Sequence, residues 1–179
     1  MKTTTIALIA LVAASPAAAQ EHMHGEGHQE GAMVASARGV YEIVRGYLTS
    51  AADQMPAADY AFKPTPDVRT FGQMIAHVAN ANYNYCAIAL GIENPNTANI
   101  EQTITDKAGL VTALAESFTF CDRAYAIDEM KAHETTRIMG AERPRFHALV
   151  FNAAHDFEHY GNVVTYMRMK GMVPPSSQR

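Results

Sequence analysis

An all-α fold, with four helices packed around one core, is what the sequence predicts, and three observations predict it. Four segments carry apolar residues at the spacing of an amphipathic helix, and three of them are closed by Pro or Gly. No stretch shows a convincing run of strand alternation, and no internal repeat is present. The apolar residues, 48% of the chain, include ten Met and no Trp. The core must therefore rest on Leu, Val, Ile, Met, Phe and many Ala, a mixture that suits close-packed helices better than sheets.

Before the first helix come two segments of a different kind. Residues 1–19 have the form of a secretory signal: Lys2, a short apolar run over 6–14, and Ala17-Ala18-Ala19 as a small-x-small cleavage site. The apolar run is too short for a comfortable membrane span. An exported, periplasmic or secreted protein without stable membrane insertion is expected. Residues 20–32 are polar and Gly-rich and read as a flexible linker. Its His22, His24 and His28 could catch metal only loosely, because nothing holds them in place for coordination.

The domain proper is expected over 33–175, with a tail at 176–179. Its first helix spans 33–54, on the stripe Val40, Val44, Tyr47, Leu48, Ala51 and Met55, and Pro56 ends it. Residues 57–67 hold Pro64 and Pro66 and form an extended connection. The second helix opens on Thr70-Phe71-Gly72-Gln73, a capping box with Thr70 as N-cap. Its stripe is Phe71, Met74, Ile75, Val78, Ala81, Tyr85 and Ala89, and Gly91 stops it.

A long connection over 92–105 follows, far longer than antiparallel neighbours need, so the chain can return across the bundle and set helices two and three parallel. The third helix is expected over 106–126, capped by Thr105, with Leu110, Leu114, Phe118, Cys121 and Tyr125 inward. Residues 127–143 are less regular, with room for a short helical turn. The fourth helix opens near Pro144 and runs to 170 on Phe146, Leu149, Val150, Ala153, Phe157, Tyr160, Val164 and Met167; Gly171 and Pro174-Pro175 end it.

The chemistry concentrates in residues 152–166, N-A-A-H-D-F-E-H-Y-G-N-V-V-T-Y. His155 and His159, at i and i+4, share one helix face and can share one metal ion. At about 100° per residue, the direction midway between them also passes through Ala148 and Tyr166, with Asn152 and Asn162 close on either side. Asp156 and Glu158 point roughly 80° away to each side. On the second helix His77 shares its face with Gln73, Ala81 and Asn84, with Asn80 a little further round. If the two faces meet, three imidazoles and the amides of Asn80, Asn84, Asn152 and Asn162, with Tyr166, line one cavity. Three His ligands leave an ion with an open position for water or substrate. No spare carboxylate stands out as a base. The alternative for each histidine is a hydrogen-bonded core or boundary residue.

His155-Asp156-Phe157-Glu158-His159 invites comparison with the H-E-x-x-H metalloproteases, but no His, Asp or Glu follows His159, so the third ligand those enzymes take from downstream is missing.

Three pieces together carry a family resemblance: F-K-P-T-P-D-V-R-T-F-G-Q-M-I-A-H-V over 62–78, H-D-F-E-H-Y-G-N-V-V-T-Y-M-R over 155–168, and G-M-V-P-P-S-S over 171–177. In order and spacing the chain resembles the DinB-like family of metal-binding four-helix bundles. The resemblance implies an up-down-down-up bundle, in agreement with the long connection between helices two and three. It implies a metal triad at His77, His155 and His159. Characterised members include low-molecular-weight-thiol transferases and isomerases, and many have no known activity. Glu158 departs from the family pattern, where a further His is frequent. An export signal is a second departure, and it puts cytosolic thiol cofactors in doubt.

Cys86 and Cys121 are the only cysteines. If helices two and three run parallel, both sit about 23–25 Å along their helices at 1.5 Å per residue, so an exported chain could bridge them. Two buried free thiols are the alternative. Cys86, nine residues beyond His77, falls on the opposite face from it, away from the ion.

One globular domain with net charge −4 offers no basic face for nucleic acid. The sequence therefore points to a small-molecule substrate, with a homodimer as the default assembly. The expected cofactor is a divalent metal ion, zinc first, with nickel, iron or copper also compatible with three imidazoles. Two functions follow. One is a metal-dependent hydrolase or thiol-dependent transferase. The other is a non-catalytic metal-binding or sequestering protein, which the His-rich linker would serve.

Overall fold

The computed structural model describes residues 31–178, so the expected signal segment and all but the end of the linker lie outside the described residues. Among the described residues six α-helices are formed, α1 (Ala32–Gln54), α2 (Phe71–Leu90), α3 (Ile100–Thr103), α4 (Lys107–Ala124), α5 (Glu129–His133) and α6 (Arg145–Met169), with a small hairpin of β1 (Thr135–Ile138) and β2 (Ala141–Pro144). The long helices α1, α2, α4 and α6 make the bundle. None of the described helices is long and apolar enough to cross a membrane.

The directions of the helices follow from side-chain pairs. Asn82 meets Ser117 and Cys86 meets Cys121, the same offset four residues on, so α2 and α4 run parallel. Tyr47 stacks on Tyr160, and the segment nine residues past the end of α6 reaches the end of α1, where Gln178 bonds Gln54, so α1 and α6 also run parallel. Asn82 against Asn152 and Arg145 against the Ile88 carbonyl make α2 and α6 antiparallel. This is the up-down-down-up order.

The local signals act as physics requires. Thr70 Oγ1 accepts from the Gln73 N–H while Gln73 Oε1 accepts from the Thr70 N–H, the complete capping box. Gly91 takes φ 70° beyond α2, a conformation a side chain would resist. At α4 the expected cap moves by one: Asp106, not Thr105, accepts from the Gly109 N–H, and the helix ends at Ala124. A carboxylate is at least as good an N-cap as a hydroxyl and favours the helix start electrostatically.

Two expected core positions face outward. Val40 is 47% and Val150 45% exposed. On α1 the buried stripe is instead Val34, Ala37, Tyr41, Val44, Leu48 and Ala51, because Tyr41 claims the inward place beside Val40. Its ring stacks on Tyr125 at 4.0 Å and its hydroxyl reaches the Phe118 carbonyl oxygen at 2.9 Å. An aromatic with a bonded hydroxyl gains more from that position than Val would.

Residues 127–143, where no strand was expected, contain α5 and the hairpin, in which Thr135 pairs with Pro144 and Ile138 with Ala141. Met139 (φ 52°) and Gly140 (φ 81°) form its two-residue turn, both with the positive φ that a hairpin of this length needs.

Candidate metal centre

The triad forms where α2 and α6 cross antiparallel. One nitrogen each of His77, His155 and His159 lies within 4.8 Å of the others. The i, i+4 spacing on α6 brings the Nε2 atoms of His155 and His159 to 3.1 Å. The His77 ring sits 4.7 Å from that of His159 and 5.2 Å from that of His155. His77 and His155 are half-buried and His159 is buried.

Burial lowers the pKa of all three, most for His159, which falls to about 4; the neighbouring imidazoles push His155 and His159 further down, and Arg69 acts on all three in the same sense. The rings are therefore neutral near pH 7, the form that ligates metal. Among the described residues the buried Nδ1 of His155 has no hydrogen-bond partner. Two neutral imidazoles with nitrogens at 3.1 Å and a third beside them form a donor set that fits a divalent cation.

A carboxylate that the sequence did not bring forward completes the surroundings. Asn80, on α2 one turn from His77, donates to Asn99 Oδ1 at 2.8 Å, and its own oxygen accepts from Asn96 and from the Ile100 N–H at 3.1 Å. Asn99 in turn caps α3 by accepting from the Glu101 N–H. The long connection is thereby folded back over α2, and Glu101 Oε2 comes to 3.9 Å from His77 Nδ1. Its other oxygen accepts from Arg69 Nε at 3.0 Å. No local sequence pattern marks Glu101 as part of the site; the Asn-rich connection is the signal that an ordered turn lies there.

Beside His159 opens a cavity of about 680 Å³, walled by Pro64, Val68, Met74 and Tyr166 and edged by Arg69 and Asn162. Its floor is held in place by Tyr166, whose hydroxyl donates to the Arg69 carbonyl oxygen at 2.8 Å, and by the Phe62 ring set edge-on to Tyr166.

The other amides named from sequence fall in different places. Asn162 is exposed, lines this cavity and approaches His159 Nδ1 at 3.4 Å. Asn80 is spent on holding the connection. Asn84 is exposed and lines none of the described cavities. Asn152 is fully buried further along α6 toward its N-terminus, 3.0 Å from the Tyr125 hydroxyl and 2.7 Å from the Asn82 amide. Asp156 joins that buried group: the Asn82 amide lies 3.2 and 3.3 Å from its two oxygens. The Cys86 to Cys121 disulfide packs against it, with Cα atoms 5.3 Å apart, well away from the triad's face of α2.

Fold and site together define a helical bundle with a histidine triad between two antiparallel helices. The DinB superfamily profile matches residues 41–163, more than half of the chain, and the chain belongs to that superfamily. Two solved structures share the fold. A DinB-like protein from Bacillus cereus superposes with a TM-score of 0.68 at 13% identity, covering 79% of this chain and 95% of its own. A DinB-like protein from Bacillus subtilis gives 0.62 at 18% identity, covering 80% and 99%. No curated protein sequence matches the chain.

Proposed function

We propose that this chain is an exported metal-dependent enzyme that holds one divalent ion, zinc first, on His77, His155 and His159, and acts on a small molecule. The observation that carries the reading is the meeting of three neutral imidazoles, one of which, His159, lines a cavity large enough for such a molecule. The ion, when bound, supplies Lewis acidity and a lowered pKa for a coordinated water or thiol. The remaining chemistry belongs to the chain. Glu101 faces Nδ1 of His77 and favours the tautomer that leaves Nε2 to ligate. Asn162 stands beside His159 at the mouth. Tyr166, its hydroxyl donating to the Arg69 carbonyl oxygen, offers the cavity an acceptor oxygen and an apolar ring. Export favours water over a cytosolic thiol as the activated group, and therefore hydrolysis over thiol transfer.

Elemental analysis of the purified mature chain tests this reading, with His77→Ala and His155→Ala as controls. One ion per chain, lost in both variants, supports it. Metal at a small fraction of one per chain, unchanged by either substitution, overturns it. A screen against esters, amides and thiol adducts then separates enzyme from carrier. Metal retained with no turnover, and more than one ion bound per chain, would instead favour sequestration with help from His22, His24 and His28.

A further inference from the structure

The cavity beside His159 contains a cation whose hydrogen-bonding capacity is mostly unspent. Arg69 lines it; the guanidinium is anchored by Nε, which donates to Glu101 Oε1 at 3.0 Å, and the main chain beneath it is pinned by the Arg69 carbonyl, which accepts from Tyr166 at 2.8 Å. Neither bond uses the terminal nitrogens, and no other group among the described residues engages them. An anchored guanidinium with both terminal nitrogens available is a preformed fork for a planar anion. The remaining walls are apolar (Pro64, Val68, Met74) or neutral, apart from Asp67 and Glu101. With a divalent ion on the three neutral imidazoles, two carboxylates and one guanidinium would leave the site one positive charge in excess, which a monoanion balances and a dianion reverses, while the monoanion's apolar body meets the wall.

We infer that the cavity takes a small organic monocarboxylate, its carboxylate held by the terminal nitrogens of Arg69 and its reactive portion turned toward the three histidines. This names the substrate class for the site and rests on the metal reading above. Arg69 is a specificity-determining residue in it, and Glu101 and Tyr166 fix its position.

The test is calorimetric titration of the full mature chain with benzoate, benzamide and inorganic phosphate, in metal-loaded and metal-stripped form. Arg69→Gln and Arg69→Lys are compared with the parent, and metal content is measured on each. Saturable benzoate binding is expected, weakened about 10–100-fold by Arg69→Gln and less by Arg69→Lys, with benzamide and phosphate binding far more weakly. Metal content is expected to be unchanged by either substitution. Benzoate that fails to bind, binds Arg69→Gln as tightly as the parent, or is matched by benzamide or phosphate overturns the inference. The metal-stripped arm keeps the two readings apart: absence of metal sinks the proposed function, while the ratio of parent to Arg69→Gln still decides the role of Arg69. The lysine variant, which keeps the charge, separates loss of the fork from damage to the fold.

Discussion

Nδ1 of His77 lies 3.9 Å from Oε2 of Glu101, a residue within the long connection between α2 and α4. The distance is too long for a direct hydrogen bond but short enough for the carboxylate to bias the imidazole's tautomer and orientation. Removing such a partner usually costs affinity rather than the site itself. Glu101→Gln is expected to weaken metal binding about 10–100-fold in a competition titration against a chelator, with helicity unchanged. Asn80→Ala, which loosens the connection that carries Glu101, should weaken it in the same direction. Unchanged affinity in both would reduce Glu101 to a partner of Arg69 only.

Acid should act on the triad before it acts on the rest of the fold. His159 titrates at about 4 in the folded chain, below the value of an exposed histidine, because burial disfavours its charged form. The sign is fixed by which state binds more protons. Between the unfolded value near 6.5 and the folded value, the unfolded chain holds the proton and the folded chain does not. Stability of the metal-free protein is therefore full above pH 6.5 and falls as pH drops through that window. Thermal melts of the metal-free chain between pH 7 and 4 check this. His159→Gln should show a shallower decline, and an unaltered decline would contradict the assignment.

Much of this was legible in the sequence, and the reasons are local. The four bundle helices, the Thr70 capping box, the Gly91 stop and the histidine pair on α6 all follow from spacing and termini, which act within a few residues. What was hidden depends on tertiary competition. Val40 and Tyr41 are adjacent apolar residues, and only the presence of Tyr125 and Phe118 across the core decides which turns inward. The hairpin after α5 escaped because its strands are four residues long and Met139-Gly140 lacks the Asn-Gly signature of its turn. Glu101 could not be read as a site residue, since its approach to His77 is made by the side chain of Asn80 folding a connection back over α2. Asn152 shares the histidines' helix and nearly their face, yet it lies nearer the N-terminus of α6, where that face packs on Asn82 and Tyr125 in the core.

Asp156 gives a prediction of opposite sign to that for His159. It is fully buried, and burial raises its pKa well above the ordinary carboxylate value. A raised folded value means that the folded chain holds the proton more tightly, so this group's contribution is most favourable below the unfolded pKa and is lost as pH rises through the folded value. The neighbouring Asn82 amide can accept from the protonated acid or donate to the ionised one, so an amide at 156 keeps a partner. Asp156→Asn should raise stability at neutral pH by about 1–3 kcal/mol, with a gain that grows with pH and shrinks toward pH 4. Denaturant melts at pH 4, 7 and 9 provide the measurement, and a gain independent of pH would show that the carboxylate's charge is not its source.

The bridge between Cys86 and Cys121 ties the two parallel helices across 35 residues, a segment that includes the whole connection carrying Asn99 and Glu101. Closing a loop of that length removes unfolded-state entropy worth about 3–4 kcal/mol. Both sulfurs are fully buried, so the double variant Cys86→Ala, Cys121→Ala leaves a small void but no unpaired polar group. Its unfolding free energy should fall by about that amount in urea. Reduction of the parent in denaturant, followed by refolding with the thiols blocked, should give a similar loss. The triad faces away from the bridge, so metal content at neutral pH should stay at the parent level while the fold is intact. A double variant as stable as the parent would mean that the folded chain strains to make the bridge. One that is stable but metal-poor would mean that the bridge, through the connection it spans, holds Glu101 and His77 in register.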